Sequence, residues 1–108
     1  MPPVAELRVQ IVRFVDGGFP GFVACEFTDA TGQQHTVVDR VPIVSVEDLD
    51  ASSQYPRPGA VPCSVLETLQ REDGVPLLRV TTREPVPIDT VKGQSEFVVL
   101  ASEVHDER

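Results

Sequence analysis

The chain reads as an all-β domain, and three observations predict it. Apolar residues alternate with a period of two along most of the 108 residues. Turn-forming clusters rich in Gly, Asp and Pro interrupt that alternation about every ten to fifteen residues. No long amphipathic helix, heptad or internal repeat is present.

Taken in order, Leu7, Val9 and Ile11 alternate with Arg8 and Gln10. The phase then shifts to Val12 and Phe14 around Arg13, which predicts a bulge. The cluster Asp16-Gly17-Gly18-Phe19-Pro20-Gly21 turns the chain into a second strand over 22–28, with Val23, Cys25 and Phe27 on one face. Asp29-Ala30-Thr31-Gly32 is a turn whose glycine suits the left-handed conformation of short hairpin loops. A third strand over 35–44 carries Val37, Val41 and Ile43 in phase, and Pro42 places it at an edge or a bulge. Ser45-Val46-Glu47-Asp48 resembles a capping box and predicts one helical turn near 46–50. A Pro-stiffened loop then runs to Gly59. Strands over 60–71, 75–82 and 95–101 follow, with turns at Glu72-Asp73-Gly74 and Val91-Lys92-Gly93. The expected architecture is a small six-stranded antiparallel barrel or sandwich spanning residues 1–104, with a frayed tail at 105–108.

Composition narrows function. Nine basic residues against 17 acidic ones give a net charge of −8, the wrong sign for nucleic acid or an anionic membrane and the right sign for a basic protein partner. The start of the chain, Met1-Pro2-Pro3-Val4, has no basic-then-apolar leader, so the expected location is the cytoplasm. Cys25 and Cys63 lie in apolar strand patterns, far apart and without metal-ligand spacing. They are expected to be small core residues rather than a disulfide or a nucleophile. His35 opens a strand beside Gln33 and Gln34, and His105 lies in the tail; both are expected to be exposed. Gly17, Gly18 and Gly21 sit between two strands, as in a hairpin loop rather than a phosphate cradle that opens a helix.

The densest polar constellation is Glu47, Asp48 and Asp50, followed by Tyr55 and Arg57. Three nearby carboxylates suit a hard cation, yet the calcium-loop spacing does not follow, and no metal or cofactor is expected. Tyr and Arg are favoured interface anchors, and a Pro-stiffened loop loses less entropy on binding. These five residues therefore form the expected partner-binding surface. Phe19 and Phe22, at the first hairpin, make a second apolar contact site if exposed.

The segments Glu47-Asp48-Leu49-Asp50, Tyr55-Pro56-Arg57-Pro58-Gly59, Cys63-Ser64-Val65-Leu66-Glu67 and Ser95-Glu96-Phe97-Val98-Val99-Leu100 together resemble small uncharacterised bacterial proteins of about this length. That resemblance implies a free-standing bacterial domain and no particular activity. Residues 60–104 are also loosely similar to the β-barrel modules of elongation factor Tu, a likeness of fold that carries no function. The expected function is a non-enzymatic, acidic protein-binding domain of a bacterial cytoplasm, of the immunity, inhibitor or adaptor type, that masks a basic partner. The alternatives are a small-molecule or metal-dependent enzyme with a pocket at the barrel mouth, using Cys63 or the 47–50 carboxylates, and a homodimeric structural module joined through a strand edge.

Overall fold

The computed structural model describes residues 4–16 and 21–106. Seven strands are formed: β1 (Val4–Asp16), β2 (Phe22–Thr28), β3 (Gln34–Arg40), β4 (Arg57–Gln70), β5 (Pro76–Thr81), β6 (Glu96–Leu100) and β7 (Val104–Asp106). One helical turn, α1 (Val41–Val44), follows β3. All pairings are antiparallel, in the order β3-β2-β1-β4-β5-β6, and the sheet curls into a half-barrel. β7 pairs with β1 beyond the end of β2, matching Ala5 to Asp106, Glu6 to His105 and Leu7 to Val104. Residues 105 and 106 are thus laddered rather than frayed.

Alternation decides which residues go inside. Ala5, Leu7, Val9 and Ile11 are buried on β1, and Arg8 and Gln10 are exposed. The phase shift seen in the sequence is a bulge in the β1–β2 register between Ile11 and Arg13. It turns Phe14 back toward the core. The β1–β2 register shifts again between Phe14 and Asp16, and a further bulge, between Val65 and Glu67 on β4, has no comparable sequence signature. Val23, Cys25, Phe27, Val37, Val61, Cys63, Val80, Phe97 and Val99 complete the strand-borne core.

Three loops repeat one turn, opening at Asp29, Arg71 and Thr90. In each, the N–H of the opening residue donates to the carbonyl four positions on, and the N–H of Gly32, Gly74 or Gly93 donates back. All three glycines have φ of +84 to +90°, a left-handed conformation that a side chain disfavours. Two such loops also tie the sheet's outer strands together: the Ala30 N–H donates to the Val98 carbonyl of β6, and the Val91 N–H to the Thr36 carbonyl of β3.

The expected third strand stops short. β3 ends at Arg40, and residues 41–44 form the helical turn expected near 46–50. Pro42 explains the shift, because early in a helix its missing N–H goes unused. The apolar spacing agrees: Val41 and Val44 are both buried, whereas the Val46 side chain is fully exposed. The long excursion between β5 and β6 is fastened by buried Thr82. Its hydroxyl donates to the Ile88 carbonyl at 2.7 Å, and its N–H donates to the Ser95 carbonyl.

Candidate functional site

The 45–57 segment links α1 to β4, and most of its polar groups are occupied by its own chain. Ser45 does not complete a capping box. Its Oγ accepts from the Glu47 N–H, two residues on, rather than from Asp48. Leu49 is buried and anchors the middle of the segment. Asp50 Oδ1 accepts from the Ser52 N–H (2.9 Å) and hydroxyl (2.6 Å), while the Asp50 N–H donates to Ser53 Oγ. The Ser52 hydroxyl and N–H hold the Asp50 carboxyl below its ordinary pKa. The half-buried Tyr55 packs its ring against the core and donates its hydroxyl to the Asp50 carbonyl at 2.8 Å.

Arg57, the first residue of β4, donates from Nη2 to both Glu47 carboxylate oxygens, at 2.7 and 2.8 Å. Its Nε is buried without a hydrogen-bond partner among the described residues. The structure therefore brings Glu47 to Arg57 and Asp50 to Tyr55. Of the five residues of the expected surface, Asp48 alone is exposed with no side-chain bond among the described residues. Tyr55 and Arg57 are spent on holding the segment rather than presented whole to a partner.

Beside this segment lies an open groove of about 300 Å³, lined by Pro42, Ile43, Val46 and Glu47 on one side and by Pro58 and Glu6 on the other. Its floor is Gly59. A Cβ there would sit 2.7 Å from Ile11 Cδ1 and 2.9 Å from the Val44 carbonyl oxygen, so this glycine is required by close packing. The sequence around Val46 carries no signal of its exposure. Of the apolar pair at the first hairpin, Phe19 lies outside the described residues, as do Gly17 and Gly18. Phe22 is partly exposed.

Both cysteines are free and fully buried, on different strands. Cys25 pairs across from Ile11 and Cys63 across from Ala5, so they occupy separate stretches of the core. Burial, with a smaller push from Asp39, raises the Cys25 thiol to about 12; burial, with Glu6, raises Cys63 to about 11. Such thiols stay protonated at neutral pH and behave as small hydrophobes.

His35 overturns its expected exposure. It is 6% exposed, with its ring clustered against Phe27 and Phe97 at centroid distances of 5.2 and 4.8 Å. Its Nε2 lies 2.7 Å from Asp29 Oδ2. Asp29 also accepts from the Thr31 N–H, the Thr31 hydroxyl and the Gln33 N–H. Burial would raise this carboxyl, but the bonds from Thr31, His35 and Gln33 outweigh it and bring it down to about 2. The available signal is phase: His35 stands two residues before Val37, on the inward face of β3. His105, the other histidine, is exposed on β7.

Among the described residues, no group of three or more His, Cys, Asp or Glu side chains is placed to hold a metal ion, and no helix is long and apolar enough to cross a membrane. Comparison with protein-family models, with curated proteins and with solved structures finds no match. What the fold defines is a class, the curled antiparallel half-barrel, bearing an acidic, internally braced segment on one side.

Proposed function

We propose that this is a non-enzymatic, acidic protein-binding domain of the bacterial cytoplasm, of the inhibitor or adaptor type, and that the tip at residues 45–48 with its adjoining groove is the contact surface. The observation that carries the reading is Val46. A valine side chain with full solvent exposure, followed by the exposed carboxylates of Glu47 and Asp48, stands at the rim of a groove walled by Pro42, Ile43 and Pro58. Burying that valine against a partner would contribute about 1.5–3 kcal/mol. The carboxylates would select a basic surface and speed its approach, in keeping with the net charge of −8.

Bracing supports the same reading. The Arg57–Glu47 and Asp50–Ser52 bonds hold the segment in shape before any partner arrives, which lowers the entropy lost on binding. The test is capture from lysate of the source bacterium, at low and high salt, comparing the native chain with the double variant Val46→Asp, Asp48→Lys. A basic protein retained by the native chain, released by salt and not retained by the variant is the expected result. Equal retention by both chains would remove this tip from the interface.

A further inference from the structure

The groove beside the 45–48 tip is selective in charge as well as in shape. Among the described residues, Glu6 and Glu47 are the only charged side chains that line it, and no lysine or arginine does. The two carboxylates come from different elements: Glu6 from β1, and Glu47 from the segment that follows α1. Apart from Ser45, the rest of the lining is apolar, with Pro42, Ile43, Pro58 and Ala60 prominent in it.

Glu6 is the informative residue. It is half-buried, on the face of β1 opposite Ala5 and Leu7, and it makes no hydrogen bond or ion pair among the described residues. Withdrawing a carboxylate from water without a partner is costly, so a cation in the groove would relieve it. Glu103 is likewise half-buried and unpaired among the described residues, but the separate cleft that it lines also holds Arg8, a counter-charge. The groove at Glu6 holds none. Glu47 is fixed by Arg57 Nη2, and the Arg57 side chain is not part of the lining. Each Glu47 oxygen accepts one bond there and keeps a lone pair for a second donor.

We propose that this groove takes one long basic side chain, lysine or arginine, of the protein partner, and that Glu6 is the residue that selects for its charge. The inference rests on the reading of the tip as a contact surface and deepens it. Lysine and arginine join an apolar stem to a cationic head. The stem would lie along Pro42, Ile43 and Pro58, and the head would meet Glu6 and the free side of Glu47. Size agrees with this occupant. Small-molecule pockets span roughly 300–1,000 Å³, and a groove of about 300 Å³ stands at the foot of that range, with room for a single side chain. Two prolines in the walls and the close packing at Gly59 keep the groove in shape before binding, which lowers the entropy lost. An acidic side chain would meet two like charges, so the groove rejects as well as selects.

The experiment is NMR of the backbone amides during titration with end-blocked alanine tripeptides whose central residue is lysine, arginine or norleucine, at constant ionic strength. Norleucine keeps the apolar stem and lacks the charge. The expected result is a saturable shift of the Val46, Glu47 and Ala60 amides by a basic peptide, with the norleucine peptide binding several-fold more weakly. The tighter of the two basic peptides identifies the side chain. Glu6→Gln, which keeps the size of the side chain, should retain the native spectrum and bring the basic peptides down to the norleucine level. The comparison of charged and uncharged peptides on the native chain decides the matter even where that variant fails to fold. No saturable shift up to tens of millimolar, equal binding of charged and uncharged peptides, or an unchanged response in a folded Glu6→Gln overturns the inference. Lysate capture separates its failure from that of the wider reading. A basic protein retained by the native chain and lost by Val46→Asp, Asp48→Lys, while the peptides fail to bind, leaves the tip as the interface and removes the groove's occupant. Peptides that bind while no protein is captured uphold the groove and remove the wider reading.

Discussion

The two ends of β3 handle carboxylates in opposite ways. At its start, Asp29 sits under a closed turn, with four hydrogen bonds and a buried imidazole among two phenylalanines. Past its end, Glu47 and Asp50 are exposed and bonded to side chains that water also reaches. The same chemical group is a structural fastener in the first place and a surface feature in the second. The difference lies in what surrounds it: a buried polar bond is costly to break because nothing replaces it, while an exposed one is exchanged for water at little net cost.

The sharpest way to break this contrast is Asp29→Ala. It strips the turn of its acceptor and leaves His35 buried without a partner, and should cost about 3 kcal/mol in urea unfolding, in the range seen when one partner of a buried pair is removed. A loss near zero would mean that the turn stands without its carboxylate. Next in size is Gly59→Ala, beneath the exposed segment. The added methyl meets Ile11 and a carbonyl that belongs to α1's last residue, and overpacking of this kind costs about 1–3 kcal/mol. The smallest effect is expected from Glu47→Gln. It weakens an ion pair whose carboxylate is half exposed, and should change stability by less than about 1 kcal/mol.

Two pH limits refine the comparison. Asp29 is lowered from 3.8 to about 2, so its stabilisation is complete above the unfolded value and fades as pH falls through the folded one. Asp29→Asn should flatten the acid limb of a stability–pH profile, whereas Asp48→Asn should leave it in place. The cysteines set the other limit. Their thiols are raised from 9.0 to about 12 and about 11, so the stability they contribute is intact below pH 9 and declines as pH rises through those values. In the native protein at neutral pH, neither thiol should react with a thiol reagent at a rate faster than unfolding. Rapid labelling of either would mean that the core around it opens locally.

Much of the fold is legible in the residues themselves. The alternation of Leu7, Val9 and Ile11, the shift at Val12, and the glycines at 32, 74 and 93 are local signals, and each acts over a few residues of chain. The candidate surface is half legible. The exposure of Glu47, Asp48 and Asp50 follows from their charge, but the partners of Tyr55 and Arg57 do not, because those bonds depend on how the segment folds back on itself.

The sequence by itself determined that this chain is built of strands, where most of them turn, and that Cys25 and Cys63 lie inside. Backbone sterics and side-chain alternation decide those matters within a few residues. Only the tertiary structure decided that the helical turn falls at 41–44, that Val104–Asp106 returns to β1, and that His35 is sealed against Asp29. These depend on which distant surface closes over a residue. For a polar group, burial is permitted only where that closure also supplies a hydrogen-bond partner.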